Sequence, residues 1–293
     1  MDRSRRLLNL PEKCRYTGRG ITVCVLDTGI EKNGDTGRIL AFKDFVGGAA
    51  KAYDDNGHGT HVCGIICGSG AASNGRYRGI APDVGLIVLK TLNSKGQGIS
   101  DDVLSGMRWV SENRKKYNIR IVNLSIGTGS TDVNDPLVLG AEELWESGVV
   151  VITAAGNGGP ARGSVSTPGI SKKVITVGSC DDNLSGTISF GSGEKSNFSG
   201  RGPTRECVIK PDLVAPGSNI VSCGTGGKAY RVLSGTSMST PMISGAAALL
   251  LEKHPDLTPN ELKLCMKNAC RSLELPPNQQ GRGLLDIKKM LEI

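Results

Sequence analysis

Three short segments of the chain carry side chains that suit nucleophilic chemistry. They are "VLDTGI" (25–30), "DDNGHGTHVCG" (54–64) and "LSGTSMSTPMISG" (233–245). A serine hydroxyl is a poor nucleophile until a base takes its proton, and a neutral imidazole is the usual base near neutral pH. A buried carboxylate that faces the imidazole Nδ1 fixes the tautomer of the ring and stabilises the imidazolium. The segments therefore offer a serine, a histidine and an aspartate for covalent catalysis.

The base has to be one of three histidines, His58, His61 and His254. His254 lies in "EKHPD", at the exposed end of a predicted helix, and we expect it to be a surface residue. The other two share the tetrapeptide "HGTH" at the start of another predicted helix. Glycines flank His58 and let a substrate approach it, whereas His61 begins the run "HVCGIIC", which is typical of a packed helix face. On the residues alone, both stay candidates.

The aspartate best placed to orient a histidine is Asp27, which follows the apolar run "ITVCVL". An aspartate after a strand is also a common helix N-cap, and that role is the structural alternative. Asp54 and Asp55 precede the histidine motif, and we expect them to be loop or cap residues.

The candidate nucleophile is Ser237, in "GTSMSTP". We expect Pro241 to lie in the first turn of the helix that follows, where proline is tolerated. Ser237 then has its hydroxyl at the positive end of the helix dipole, beside backbone N–H groups that can bind a developing oxyanion. The neighbouring Ser234 and Ser239 are interpreted as turn and cap residues.

Apolar, β-branched runs alternate with amphipathic stretches along the first 180 residues. The runs are 21–27, 84–92, 119–127, 149–157 and 173–180. Near-continuous apolar strands are typical of a sheet that is covered on both faces. Ser100 opens one helix between them, and Asp135 with Pro136 opens another, which Gly148 closes. This pattern predicts an α/β fold with a doubly wound, mostly parallel sheet and helices on both faces, in a single domain.

The carboxyl ends of parallel strands are where functional groups gather in such sheets. Asp27 ends the first run, and Asn157 follows "VVVITAAG". An asparagine before two glycines also suits a plain turn, but the position at a strand end favours a functional role for Asn157.

The three segments resemble the aspartate, histidine and serine motifs of the subtilisin-like peptidases, in the chain order of that family. The resemblance extends through "RGIAP", "NLSIG", "AAGN", "SGRGP", "KPDLVAPG" and "GRGLLDI". It implies an N-terminal extension over residues 1–17 and a peptidase domain over residues 18–293. It also implies a serine endopeptidase that works through an acyl-enzyme. The catalytic residues it implies are Asp27, His58 as the base, Ser237 as the nucleophile and Asn157 as the oxyanion donor.

Substrate-binding residues follow from the same resemblance. "KGQG" (95–98), with Gly96 and Gly98, and Ser125, Ile126 and Gly127 resemble the two segments that sandwich an extended peptide by strand addition. The pocket for the residue before the cut is then walled by Ser125–Gly127 and by Ala154, Ala155 and Gly156, with Ser166 at its floor. The walls carry no charged side chain, so we expect broad specificity with a preference for apolar residues of medium size at this position.

Two departures from the family pattern concern the catalytic helix and a loop. The usual "TPHVAG" after the serine is "TPMISG" here, with Met242 in place of a common histidine. The loop 68–79 lacks the Asn-rich segment that helps to bind calcium in secreted relatives. We expect that catalysis requires no cofactor and that no metal takes part, and the sequence leaves open whether a structural calcium ion is bound.

The bulk composition constrains partners and location. The chain has 293 residues and a formal charge of +7 from scattered Lys and Arg, which is typical of a solvated basic surface. We expect a monomer that acts on protein or peptide substrates and binds neither nucleic acid nor membrane. Nine cysteines without metal-like spacing favour a reducing, cytoplasmic compartment, unless an upstream prosegment has been removed from a secreted enzyme. The alternatives are a catalytically silent binding or regulatory module and a processing peptidase dedicated to one substrate.

Overall fold

The computed structural model describes residues 1–182, 188–190 and 193–293. The strands are β1 (Thr22–Asp27), β2 (Arg38–Asp44), β3 (Gly85–Lys90), β4 (Ile119–Leu124), β5 (Val150–Ala154), β6 (Ile175–Ser179), β7 (Ile188–Phe190), β8 (Gly193–Lys195), β9 (Leu213–Ala215), β10 (Ile220–Cys223), β11 (Tyr230–Leu233), β12 (Cys270–Arg271) and β13 (Leu284–Leu285). The helices are α1 (Asp2–Leu7), α2 (His58–Cys67), α3 (Ser100–Tyr117), α4 (Pro136–Glu146), α5 (Thr236–Lys253), α6 (Pro259–Asn268), α7 (Pro277–Gln280) and α8 (Ile287–Glu292).

The central sheet of the described residues has nine strands in the order β12-β13-β9-β6-β5-β4-β1-β3-β2. All of its pairings are parallel except that of β12 with β13. Strands β1, β5 and β6 are buried along their whole length, as their unbroken apolar sequences predict. Helices α2 and α5 pack together against the sheet, and α3 and α4 form a second packed pair. The predicted doubly wound α/β fold is confirmed.

The strand order reverses at β1, because β3 and then β2 lie on one side of it and β4 lies on the other. The reversal opens a crevice at the carboxyl ends of β1 and β4, which is where doubly wound sheets bind ligands. Asp27 is the last residue of β1, and Ser125 follows the last residue of β4. The topology therefore brings two of the predicted site segments to one place.

Helix α5 begins earlier than the sequence predicts. It starts at Thr236, so Pro241 lies inside the helix and the prediction of Pro241 in the first turn was wrong. Gly235, at φ 148°, forms the N-cap, a backbone conformation that favours glycine, and Ser237 becomes the second helical residue. Proline inside a helix leaves the carbonyl four residues earlier without its usual donor.

Residues 1–17 pack against the rest of the chain. Met1 and Leu8 belong to the main hydrophobic core, and Arg3 forms an ion pair with Asp181. The backbone N–H of Ile287 donates to the carbonyl of Leu8 at 2.8 Å. Neither α1 nor the half-exposed edge strand β2 shows the periodicity that revealed the central strands.

Candidate active site

His58 and Asp27 form a hydrogen-bonded pair at the crevice. The Nδ1 atom of His58, the first residue of α2, lies 2.7 Å from Oδ1 of Asp27. The Asp27 side chain is fully buried, and the same oxygen accepts the N–H of Thr28 at 2.7 Å. The His58 side chain keeps 24% of its surface exposed. With Nδ1 donating to the carboxylate, Nε2 is the ring nitrogen that can accept a proton.

The pKa of His58 reflects opposing effects. Burial of the ring disfavours its charged form, but the charge and hydrogen bond of Asp27 outweigh burial, so the pKa of His58 lies above its usual value of 6.5. The Asp54 carboxylate raises the pKa of His58 further, and the Arg231 guanidinium lowers it. Asp27 thus stabilises the imidazolium that a serine nucleophile would create.

Asp54 holds the loop before His58 against the end of β1. Its buried carboxylate accepts hydrogen bonds of 2.7–3.1 Å from Thr28 Oγ1, from the N–H groups of Asn56, Gly57 and Thr60, and from Thr60 Oγ1. Burial alone would raise the pKa of this carboxyl group, but the donors, led by Thr60 and Gly57, hold it below its usual range. The expected loop and cap role of Asp54 therefore includes fixing the geometry of the Asp27–His58 pair.

Lys90 is a buried cation that the sequence analysis did not single out. Its Nζ donates to the carbonyls of Thr28 at 2.7 Å and Leu92 at 2.9 Å, and to Asp55 Oδ1 at 2.7 Å. It thereby ties the ends of β1 and β3 to the histidine loop. A lysine directly after "LIVL", inside a run otherwise expected to be fully buried, was the available signal.

Ser237 lies beside this pair, at the N-terminus of α5. Its hydroxyl donates to the carbonyl of Ser125 at 3.1 Å, and among the described residues it forms no hydrogen bond with His58. Ser237 and His58 line the same groove. Catalytic hydrogen bonds are often long or misaligned in a ligand-free enzyme, so proton transfer requires the hydroxyl to turn from Ser125 to the imidazole.

Pro241 explains how the backbone of Ser237 is anchored. Because Pro241 has no N–H, the carbonyl of Ser237 lacks its helical donor, and the hydroxyl of Ser125 donates to it at 3.1 Å. Asn123 Nδ2 donates to that hydroxyl at 2.9 Å, and Ser244 donates to Asn123 Oδ1 at 2.8 Å. A buried polar chain therefore links the end of β4 to the nucleophile's turn.

Asn157 lies in the loop after β5, with its carboxamide held by the residue before the nucleophile. Its Oδ1 accepts from Thr236 N at 3.0 Å and Thr236 Oγ1 at 3.1 Å. Thr236 Oγ1 in turn accepts the N–H of Gly156 at 3.1 Å. These bonds orient the Asn157 amide at the helix N-terminus, and its Nδ2 lies next to Gly235.

The competing residues have structural roles. His61 is fully buried, its Nε2 lies 2.9 Å from the carbonyl of Ile220, and burial lowers its pKa to about 3. Ser239 donates to the carbonyls of Ala215 and Pro216, and Ser234 accepts the N–H of Asn219. Of the two histidines in "HGTH", only His58 reaches the groove.

Two cavities meet at Ser237. The larger, of about 520 Å³, is lined by His58 and by the predicted substrate-binding residues Gly96, Gly98, Ser125, Ile126 and Gly127. The second, of about 460 Å³, is lined by Ile126, Gly127, Ala154, Gly156, Ser166 and Asn157. Ala155 does not line either cavity, which corrects its predicted place in the pocket wall. Its side chain is buried, and its carbonyl accepts the N–H of Ser166 at 3.0 Å.

Ser166 obstructs the second cavity. A methyl group added at Gly127 or at Gly156 would collide with Ser166 Oγ, so the serine side chain lies between the two glycine walls. Its hydroxyl oxygen is buried without a hydrogen-bond partner among the described residues.

Metal-binding groups are not part of this arrangement. Within the part of the chain that the structure describes, no three His, Cys, Asp or Glu side chains are placed to hold a metal ion.

A doubly wound sheet with a serine, a histidine and a buried aspartate meeting at its switch point has the architecture of a serine peptidase. The particular family follows from comparison with known proteins. The model of the subtilase family matches residues 18–283, and this chain belongs to that family.

Two similar proteins illustrate the relationship. Serine protease AprX of Bacillus subtilis (strain 168) is 42% identical over 92% of this chain, which spans 66% of AprX. Subtilisin DY of Bacillus licheniformis is 32% identical, with 93% of this chain and 91% of that protein covered. Among solved structures, a cold-adapted subtilisin-like serine proteinase superposes with a TM-score of 0.76 at 32% identity, covering 95% of this chain and 94% of that one. The resemblance stated from the motifs is confirmed.

Proposed function

We propose that this chain is a serine endopeptidase that hydrolyses peptide bonds through an acyl-enzyme intermediate. The observation that carries the proposal is the 2.7 Å bond between the buried Asp27 carboxylate and His58, in the groove that also contains Ser237. Labelling with a fluorophosphonate probe tests it. Mapping should find the modification on Ser237, and labelling of another residue, or none, would contradict the assignment.

The reaction follows from the positions of these groups. Ser237 Oγ attacks the substrate carbonyl carbon while His58 Nε2 takes the hydroxyl proton, and Asp27 stabilises the resulting imidazolium. Asn157 Nδ2 and the backbone N–H of Ser237 donate to the developing oxyanion. The C–N bond then breaks, with the amine taking the proton from His58. A water molecule, deprotonated by His58, hydrolyses the acyl-enzyme and restores Ser237. No metal or cofactor enters these steps.

The pH profile of the reaction should report His58. Only neutral imidazole acts as the base, so kcat/KM should rise with pH as His58 loses its proton. Because the pKa of His58 is raised, the midpoint should lie above 6.5. The measurement is kcat/KM between pH 5 and 9 on a peptide without titratable side chains. A midpoint at or below 6.5 would show that Asp27 does not dominate the electrostatics of the ring.

The obstructing Ser166 supports a preference for medium apolar residues, such as Leu or Met, before the cut. Replacement by glycine should deepen the cavity between Gly127 and Gly156, because it removes the side chain that separates them. In Ser166→Gly the ratio of kcat/KM for a Phe or Trp substrate to that for Leu should rise about 10- to 100-fold. Matched fluorogenic peptides that differ only at this residue provide the measurement. A wild-type preference for Lys or Arg, or an unchanged ratio in Ser166→Gly, would refute this pocket.

The catalytically silent alternative loses support from the geometry. A binding or regulatory module would not need an aspartate buried behind the histidine with its carboxylate directed at Nδ1. A processing peptidase dedicated to one substrate would contain the same groove, and turnover of unrelated peptides separates it from an enzyme of broad specificity.

The cysteines support a reducing, cytoplasmic location as part of the proposal. All nine are free thiols, and burial raises the pKa of Cys67 and of Cys223 to about 12, which keeps these thiols protonated and unreactive. Mass spectrometry of the alkylated native protein, prepared without reductant, should find nine thiols, and four disulfides would point to an oxidising compartment. None of the described helices is long and apolar enough to cross a membrane. We further propose that the enzyme acts as a monomer.

A further inference from the structure

The β10–β11 hairpin lies directly on the loop that carries the catalytic histidine. Arg231 Nη1 donates to the carbonyl of Asn56 at 2.9 Å. A methyl group added at Gly57 would stand 2.5 Å from Arg231 Nη1 and 2.7 Å from Thr225 Oγ1. Gly57, at φ 92°, immediately precedes His58. The hairpin is therefore as close to the catalytic base as the backbone permits.

This hairpin forms a basic cavity of about 440 Å³. Its lining residues are Thr225, Gly226, Lys228 and Arg231. Within the described residues, neither Lys228 nor Arg231 forms an ion pair. The carboxylate of Glu31 lines the neighbouring cavity instead, where it accepts the N–H of Gly226. Two cations thus face one cavity without a carboxylate of the chain to neutralise them.

The basic cavity and the catalytic groove share a wall. Asn56 lines the groove together with His58, and its carbonyl receives the hydrogen bond from Arg231 on the other side. A peptide held across Ser237 and His58 therefore passes the edge of the hairpin. A substrate side chain next to the bond to be cleaved can reach over Asn56 and Gly57 into the basic cavity.

We propose that the Lys228–Arg231 cavity is a substrate subsite that takes the carboxylate of an Asp or Glu flanking the scissile bond. The inference rests on the proposed peptidase function. Anchoring of one guanidinium N–H to Asn56 fixes the plane of Arg231, so its remaining donors are oriented before a carboxylate arrives. Lys228 is exposed and adds a second positive charge without a fixed geometry.

Pairs of quenched fluorogenic peptides that differ only by Glu against Gln test the subsite. The exchange is made in turn at the second residue before the cut and at the first and second residues after it. At low ionic strength, kcat/KM for Glu should exceed that for Gln about 3- to 10-fold at one of these positions, the range expected for a partly exposed ion pair. The ratio should fall towards 1 as salt is added.

Three variants separate the cavity from the general charge of the chain. The Glu/Gln ratio should fall to about 1 in the double variant Lys228→Met, Arg231→Met. It should be largely retained in Arg231→Lys. Lys51→Met, which removes an exposed lysine outside the cavity, is the matched control and should keep the wild-type ratio.

The outcomes that overturn the subsite are distinct from failure of the peptidase proposal. A wild-type ratio of 1 or less at all three positions, an unchanged ratio in the double variant, or an equal loss in Lys51→Met would each refute it. Hydrolysis of the Gln peptides reports catalysis itself in every variant. If the wild type cleaves none of these peptides, the proposed function fails first.

Discussion

Replacing Ser237 by alanine is expected to abolish peptide hydrolysis while leaving the fold intact. The side chain donates only to the carbonyl of Ser125, and the anchoring bond from Ser125 to the backbone of Ser237 does not depend on the hydroxyl. A loss of kcat of roughly a millionfold is expected, a magnitude taken over from subtilisin. Steady-state hydrolysis of a peptide substrate measures it, and the circular dichroism spectrum and melting temperature serve as controls.

His58→Ala should match Ser237→Ala, and the double variant should lose little more, since the nucleophile and base act as one unit. His61→Ala removes the other histidine of the same motif and is the matched control for the assignment of the base. An active His58→Ala with an inactive but folded His61→Ala would reverse that assignment.

Asn157→Leu is expected to lower kcat by roughly a hundred- to a thousandfold, again the magnitude known from subtilisin, with KM little changed. The reason is positional. Thr236 holds Oδ1 through its N–H and its hydroxyl, so the amide is oriented before the oxyanion forms. An oxyanion donor stabilises the transition state more than the bound substrate, and its loss therefore appears in kcat.

Thr236→Val serves as a companion variant because it removes one of the two donors to Asn157 Oδ1 but leaves the Asn157 side chain in place. It should lower kcat by less than Asn157→Leu does. A large rise in KM with unchanged kcat in Asn157→Leu would mean that Asn157 holds substrate rather than the oxyanion.

The positions of Asp27 and Asn157 could be predicted because each follows a long apolar run, and strand ends in a parallel sheet meet at one edge. Lys90 and Asp54 could not be ranked in the same way. Sequence patterns treat an isolated charge as solvent-facing, whereas these two are buried only because carbonyls and N–H groups from distant segments surround them. Pro241 misled the prediction of where α5 begins, since its preference for a first helical turn is overridden by Ser125, which binds the carbonyl that Pro241 leaves free.

The spacing of the catalytic residues along the chain also governs when activity can arise during folding. Asp27 and His58 are 31 positions apart, whereas Ser125 and Ser237 are separated by 112 positions. The non-local pairings of a parallel sheet form slowly, because long loops must close before they are rewarded by contacts. During synthesis the histidine pair can assemble early, but the nucleophile joins it only after α5 has been made and has docked on β4. A partly synthesised chain therefore has a base without a nucleophile and cannot cleave its neighbours.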